Sequence, residues 1–127
     1  MNSKVTMAIR ILGGLILLIF GLNKFFTFIT MPPPPEAAGE FFGALVKAGY
    51  IMPIVALVEI VAGLSWITNK YVPFTALLMA PISVNIVTFH LFLAPGGIAL
   101  GAVVALINAY LFYVHKDKFM PLMQPDA

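Results

Sequence analysis

Residues 51–93 read IMPIVALVEIVAGLSWITNKYVPFTALLMAPISVNIVTFHLFL, and this stretch decides the fold. It is two apolar runs back to back, about Ile51 to Thr68 and about Tyr71 to Leu93, joined by Asn69-Lys70. A helix needs roughly 20 mostly apolar residues to cross a bilayer, and both runs are of that order. So short a junction is a tight turn, which makes the two runs antiparallel neighbours. Pro53 and Pro73 fall in first turns, where a missing N–H costs little, whereas Pro81 removes an interior hydrogen bond and predicts a kink one turn before Asn85. Glu59 is the only acid deep within either run. An ionisable group in such a place is costly, so it normally faces the bundle interior and has a partner. Asn85 is the partner this reading expects Glu59 to face.

Outward from this pair lie two more spans. Upstream, about Val5 to Phe26 forms span 1, with Arg10 in its first turns and Asn23-Lys24 in its last; both basic side chains can snorkel to an interface. The run has no A-x-A-like exit and is expected to be retained. Gly14 and Gly21 share a face where a neighbouring backbone can approach closely. Between spans 1 and 2, Met31-Pro32-Pro33-Pro34-Pro35-Glu36 is stiff and extended, a spacer across the bundle mouth. About 37–48 is too short and too charged to span. Its Phe41, Phe42, Leu45 and Val46 fall on one helical face, with Glu36, Glu40 and Lys47 largely off it, which predicts an amphipathic helix in the interface or capping the bundle.

Downstream, Ala94-Pro95-Gly96-Gly97 is a short turn and about Ile98 to Val114 is span 4. Gly97, Gly101, Ala105 and Ala109 form a small-residue stripe suited to close packing, equally an internal contact or a homo-oligomer contact. The tail from His115 is polar and proline-bearing, and is expected to fray.

Composition agrees. Of 127 residues, 61% are hydrophobic and only 9% charged, where soluble domains carry about 25% charged residues. The expected fold is therefore a single all-α integral membrane domain, a four-transmembrane-helix bundle with a short extracytoplasmic amphipathic helix between spans 1 and 2. Four spans use most of the chain and leave no room for a catalytic domain outside the membrane. There is no cysteine, which excludes thiol–disulfide exchange, covalent haem attachment and iron–sulfur ligation within the chain. The net charge of +2 is too small and dispersed for nucleic acid. No pair of His, Asp or Glu has helical metal-ligand spacing, and no hydrolytic triad or phosphate loop is present.

Four spans put both termini and the Asn69-Lys70 turn on one side, together with Lys4, Arg10, Lys70, Lys116 and Lys118; the other side holds Lys24 and Lys47. The positive-inside rule makes the first side cytoplasmic. At about 1.5 Å per residue, Glu59, Asn108 and Ser83 fall near mid-membrane, with Asn85 somewhat outward. Asn23, Lys24 and His90 fall in the outer layer, and Arg10, Trp66 and Tyr110 in the inner one. The expected polar cluster is thus Glu59 with Asn85 and Asn108, and Lys24, Asn23 and His90 above it, with Lys24 placed to bend down and share a charge with Glu59. Whether Glu59 is charged, protonated or paired stays open. Against this stands helix-to-helix glue, at about 0.6 to 2 kcal/mol per polar side chain, which is the better reading of Asn108. Trp66, Tyr71, Tyr110 and Tyr113 read as interfacial anchors.

Arg10, Phe20-Gly21-Leu22-Asn23-Lys24-Phe25, Val58-Glu59-Ile60-Val61-Ala62-Gly63 and His90 together resemble the DoxX family of four-span bacterial membrane proteins, over nearly the whole chain from about Ile9 to Tyr113. The resemblance implies a four-helix bundle in the bacterial cytoplasmic (inner) membrane with cytoplasmic termini. The family name comes from a thiosulfate:quinone oxidoreductase subunit, and some relatives look like membrane partners of redox enzymes. Two functions follow as expectations. One is an accessory membrane subunit that binds a ligand, a lipid or a partner protein at a polar cavity around Glu59. The other is a quinone-interacting subunit of an oxidoreductase system, in which Glu59 and His90 relay protons. Neither is an autonomous enzyme.

Overall fold

The computed structural model describes residues 3–126. Six α-helices follow in order: α1 (Ser3–Phe26), α2 (Glu36–Ala48), α3 (Ile51–Thr68), α4 (Val72–Leu93), α5 (Ile98–Val114) and the short α6 (Lys116–Phe119), with no strand among the described residues. α1, α3, α4 and the segment Pro95–Val114 that contains α5 are long and apolar enough to cross a membrane. The chain is an all-α, four-span membrane protein.

The helices alternate in direction, and side-chain bonds fix which ends meet. Thr6 on α1 bonds Tyr110 on α5 at 2.8 Å, so the start of α1 and the end of α5 share one end of the bundle. The opposite end carries the 27–35 segment, α2 and the α4–α5 turn. α1 and α3 make the most extensive contact, and glycine explains it. A Cβ on Gly14 would lie 2.8 Å from the Gly63 carbonyl oxygen, and one on Gly63 the same distance from the Gly14 oxygen. Two backbones can approach this closely only where both side chains are absent. Gly21 continues the seam, its Cβ position 3.1 Å from the Ala56 oxygen and from Glu59 Cβ. The face that Gly14 and Gly21 share is used as expected.

The core cluster joins Leu17, Ala62, Trp66, Val72, Ala76, Met79, Val104, Ile107 and Leu111. Most other large apolar side chains of the spans point outward, as suits a bundle solvated by lipid. The α3–α4 turn is closed by Asn69 and Tyr71, both at φ 59°, by the Lys70 N–H to the Ser65 carbonyl at 3.1 Å, and by the Ser65 hydroxyl donating to the Lys70 carbonyl. α2 ends at Gly49 (φ 86°), whose N–H returns to the Val46 carbonyl at 3.1 Å. It both caps the bundle, through buried Ala38 and a 5.9 Å ring contact between Phe41 and Phe89, and leaves Phe42 and Val46 exposed.

Three expectations are corrected. Trp66 is no interfacial anchor: it is fully buried, its ring against Gly13 and its Nε1 donating to Thr75 Oγ1 at 3.1 Å. A polar indole edge can be buried there because a threonine one helix away accepts its hydrogen bond. Arg10 does not snorkel to the surface. It is buried and its guanidinium donates to the carbonyls of Trp66 and, at 3.4 Å, of Ile67, so it caps the last turn of α3, where carbonyls lack intrahelical partners. The tail does not simply fray, since α6 folds back and sets Phe119 4.6 Å from Phe112.

Candidate functional site

Among the described residues, six polar or charged side chains are buried: Arg10, Glu59, Ser65, Thr75, Ser83 and Asn108. Five are held by directed hydrogen bonds. Arg10 caps α3, and Ser65, Thr75 and the Trp66 N–H form one connected network, with Ser65 and Thr75 oxygens 2.8 Å apart. Ser83 donates to Asn108 Oδ1 at 2.8 Å, and Asn108 Nδ2 donates to the Ala76 carbonyl at 3.1 Å. Asn108 therefore joins α5 to α4 and does not contact Glu59.

Glu59 is the exception. Its side chain is 4% exposed, and Lys24 Nζ lies 2.7 Å from Oε1. Among the described residues, no donor other than the Lys24 ammonium reaches Oε1. Charge and proximity hold the pair together. Gly21, one turn before Lys24, makes it possible: without a Cβ there, α1 lies against Glu59 Cβ and the lysine stem can run down to the carboxylate. The two partners differ in access, for the Lys24 side chain is 25% exposed against 4% for Glu59. The pair is thus a buried anion under a cation that reaches the surface of the bundle. Lys24 belongs to the last turn of α1, where a cation also complements the helix dipole.

The remaining expected members are not gathered here. Asn23 Oδ1 accepts the Ile29 N–H at 2.7 Å, tying down the chain as it leaves α1. Asn85 is exposed and donates to the Pro81 carbonyl at 2.8 Å, within its own helix; it does not face Glu59, which corrects the expectation. A free amide beside a proline-interrupted stretch is satisfied locally, so it needs no partner across the bundle. His90 bonds the Ile86 carbonyl through Nδ1 at 2.8 Å, and its ring lies over Gly97 and Gly101 of α5. The upper half of the small-residue stripe thus seats His90 and Ile86. The lower half, Ala105 and Ala109, lines a largely apolar groove of about 300 Å³ with Ala80, Val84, Val87 and Phe112. Neither the groove between α4 and α5 nor the hollow along the C-terminal tail includes Glu59; the carboxylate lies in the seam of α1 and α3, its Cβ against Gly21. No group of three or more His, Cys, Asp or Glu among the described residues is arranged to hold a metal.

The model of the family described as DoxX matches residues 5–91. The chain belongs to the DoxX family. The matched region of this DoxX protein takes in α1, α2, α3 and nearly all of α4, and with them Arg10, Lys24, Glu59 and His90; α5 lies beyond it. No curated protein and no solved structure is similar enough to count as a match.

Proposed function

We propose that the protein is an accessory membrane subunit of the bacterial inner membrane, with cytoplasmic termini, that binds a ligand or a partner through the Lys24–Glu59 pair. One observation carries the reading. Among the buried polar side chains of the described residues, Glu59 alone is held by a single charged partner, Lys24, with no hydrogen bond from backbone or a neutral side chain. Buried polar groups are normally satisfied, and an exception asks for an explanation. A charge pair used only as glue gains little over apolar packing. A carboxylate that must accept a donor from outside has a reason to stay incompletely bonded. Lys24, a quarter exposed, is the element that can move when that donor arrives.

The basic residues support the orientation, since Lys4, Arg10, Lys70, Lys116 and Lys118 belong to the end with the termini. A quinone relay through Glu59 and His90 is not favoured, because His90 is bonded within α4 and packed on α5 and makes no bond to Glu59.

The test is to purify the parent, Glu59→Gln and His90→Ala from native membranes and compare melting temperature and bound small molecules or proteins by mass spectrometry. Glu59→Gln is expected to fold normally, since it removes a costly buried charge, and to lose the bound species. His90→Ala is expected to keep it. A Glu59→Gln protein that retains the parent's bound species would make the carboxylate structural.

A further inference from the structure

The outward face of α4 carries a line of exposed side chains: Phe74, Leu78, Pro81, Asn85, Thr88 and Phe92. Their spacing is four, three, four, three and four residues, the heptad period by which one helix lies along another. Asn85 sits within this line, about 12 Å from the Leu93 end of α4 and about 20 Å from the Val72 end. Among the described residues it is the only exposed amide or charged side chain more than one turn inside a span. Its Nδ2 gives one hydrogen to the Pro81 carbonyl at 2.8 Å. The second N–H and Oδ1 have no partner among the described residues. A primary amide has two donors and two acceptor lone pairs, and hydrocarbon can satisfy none of them. The Thr88 hydroxyl, by contrast, is bonded within α4, to the Val84 carbonyl at 3.0 Å. The groove beside Ala105 and Ala109 opens on a different flank of α4, the one with Val84 and Val87, and meets this line only at Thr88.

We propose that this face of α4 packs against α4 of a second copy of the chain, the two Asn85 amides bonding each other across a two-fold axis along the membrane normal. Two copies inserted in the same direction present α4 in parallel, so a residue on the axis meets its own counterpart. An amide is complementary to itself. The free N–H of one Asn85 reaches Oδ1 of the other and the reverse, so one residue type supplies both bonds. A lipid chain offers neither donor nor acceptor. A partner of another sequence would need its own polar group at the same depth, whereas a second copy brings one by symmetry. The heptad line supplies the rest of the contact, with Phe74 and Leu78 toward one end and Phe92 toward the other. A single Asn in such a seam fixes the register of the two helices. Pro81 and Thr88, the compact residues on either side of Asn85, let the two amides approach.

The test uses the full-length protein in vesicles of palmitoyl-oleoyl phosphatidylcholine. Donor- and acceptor-labelled copies, labelled through Ser3→Cys, are diluted with lipid and their association is read by energy transfer. The parent is expected to associate, and Asn85→Leu to associate about tenfold more weakly. Asn85→Gln keeps an amide and should keep the association. Asn85 is exposed, so both variants should retain the parent's helicity by circular dichroism. A second measurement does not depend on replacing Asn85. The chain has no cysteine, so a single introduced thiol can cross-link only to its own counterpart. With copper phenanthroline as oxidant, Thr88→Cys and Phe92→Cys should form disulfide-linked dimers. Leu106→Cys, on the lipid-facing side of α5 and 69% exposed, should not. Energy transfer no higher than random proximity at every dilution overturns the proposal, as does an Asn85→Leu protein that associates as tightly as the parent. Cross-linking through Leu106→Cys but not through Thr88→Cys or Phe92→Cys overturns it too, by placing the contact on α5.

Discussion

Glu59 and Asn108 are buried polar side chains of one bundle, held in opposite ways. Asn108 accepts from Ser83 and donates to the Ala76 carbonyl, so its amide is used up in joining α4 to α5. Asn108→Leu should lower stability by about 1 to 2 kcal/mol and leave any bound species in place; thermal unfolding in detergent with mass spectrometry reads both. Glu59 has only Lys24. Lys24→Met leaves that carboxylate without a counter-charge, where breaking a buried pair costs about 3 to 5 kcal/mol. Because Lys24 is a quarter exposed, a loss of about 2 kcal/mol is expected, and it should exceed that of Glu59→Gln. Equal losses would mean that Lys24 contributes nothing to holding the charge. The sequence offered the pair only as an option, since Lys24 in the outer layer could bend down to Glu59 near mid-membrane, and left open whether it does. Asn85 was misplaced for a physical reason: α4 is apolar around its whole circumference, so its pattern carries depth but no rotational phase.

At the scale of the helix, the spans were readable because their ends are chemical. Asn69-Lys70, the proline segment and Ala94-Pro95-Gly96-Gly97 cannot continue an apolar helix, and α3 and α5 begin and end where those breaks place them. What the pattern could not show was which small residues pair. Gly14 and Gly63 face one another across α1 and α3, and Gly97 and Gly101 are filled by His90 and Ile86. Trp66 and Arg10 were misread on the same ground, for a residue near a span end suits an interface or a cap equally, and only the neighbouring helix decides. The seam predicts a contrast. Gly63→Ala puts a methyl 2.8 Å from backbone atoms of α1 and should cost about 2 to 3 kcal/mol, in the range of overpacking. Gly43→Ala, with nothing within 4 Å, should be neutral or gain up to about 1 kcal/mol of helix propensity. Parallel melting curves check both, and equal shifts would contradict the close approach of α1 and α3.

For the whole molecule, the Thr6–Tyr110 bond puts the two described ends of the four-span bundle together, and the basic residues orient it. Single cysteines at Ser3 and Pro34, labelled from outside intact cells, should react at Pro34 and not at Ser3; the reverse pattern would invert the topology. Ala105→Leu fills the groove between α4 and α5, and a change in oligomer size in detergent would assign that groove to a second copy, while an unchanged size would leave it to lipid. The central claim is that something outside the chain completes Glu59. The most direct measurement is an experimental structure of the parent protein in native lipid, at a resolution that shows bound molecules. The account predicts a donor from a bound ligand or partner within hydrogen-bond distance of Glu59. A fully loaded protein in which Glu59 still touches Lys24 alone, with the bound molecule lying elsewhere, would contradict it.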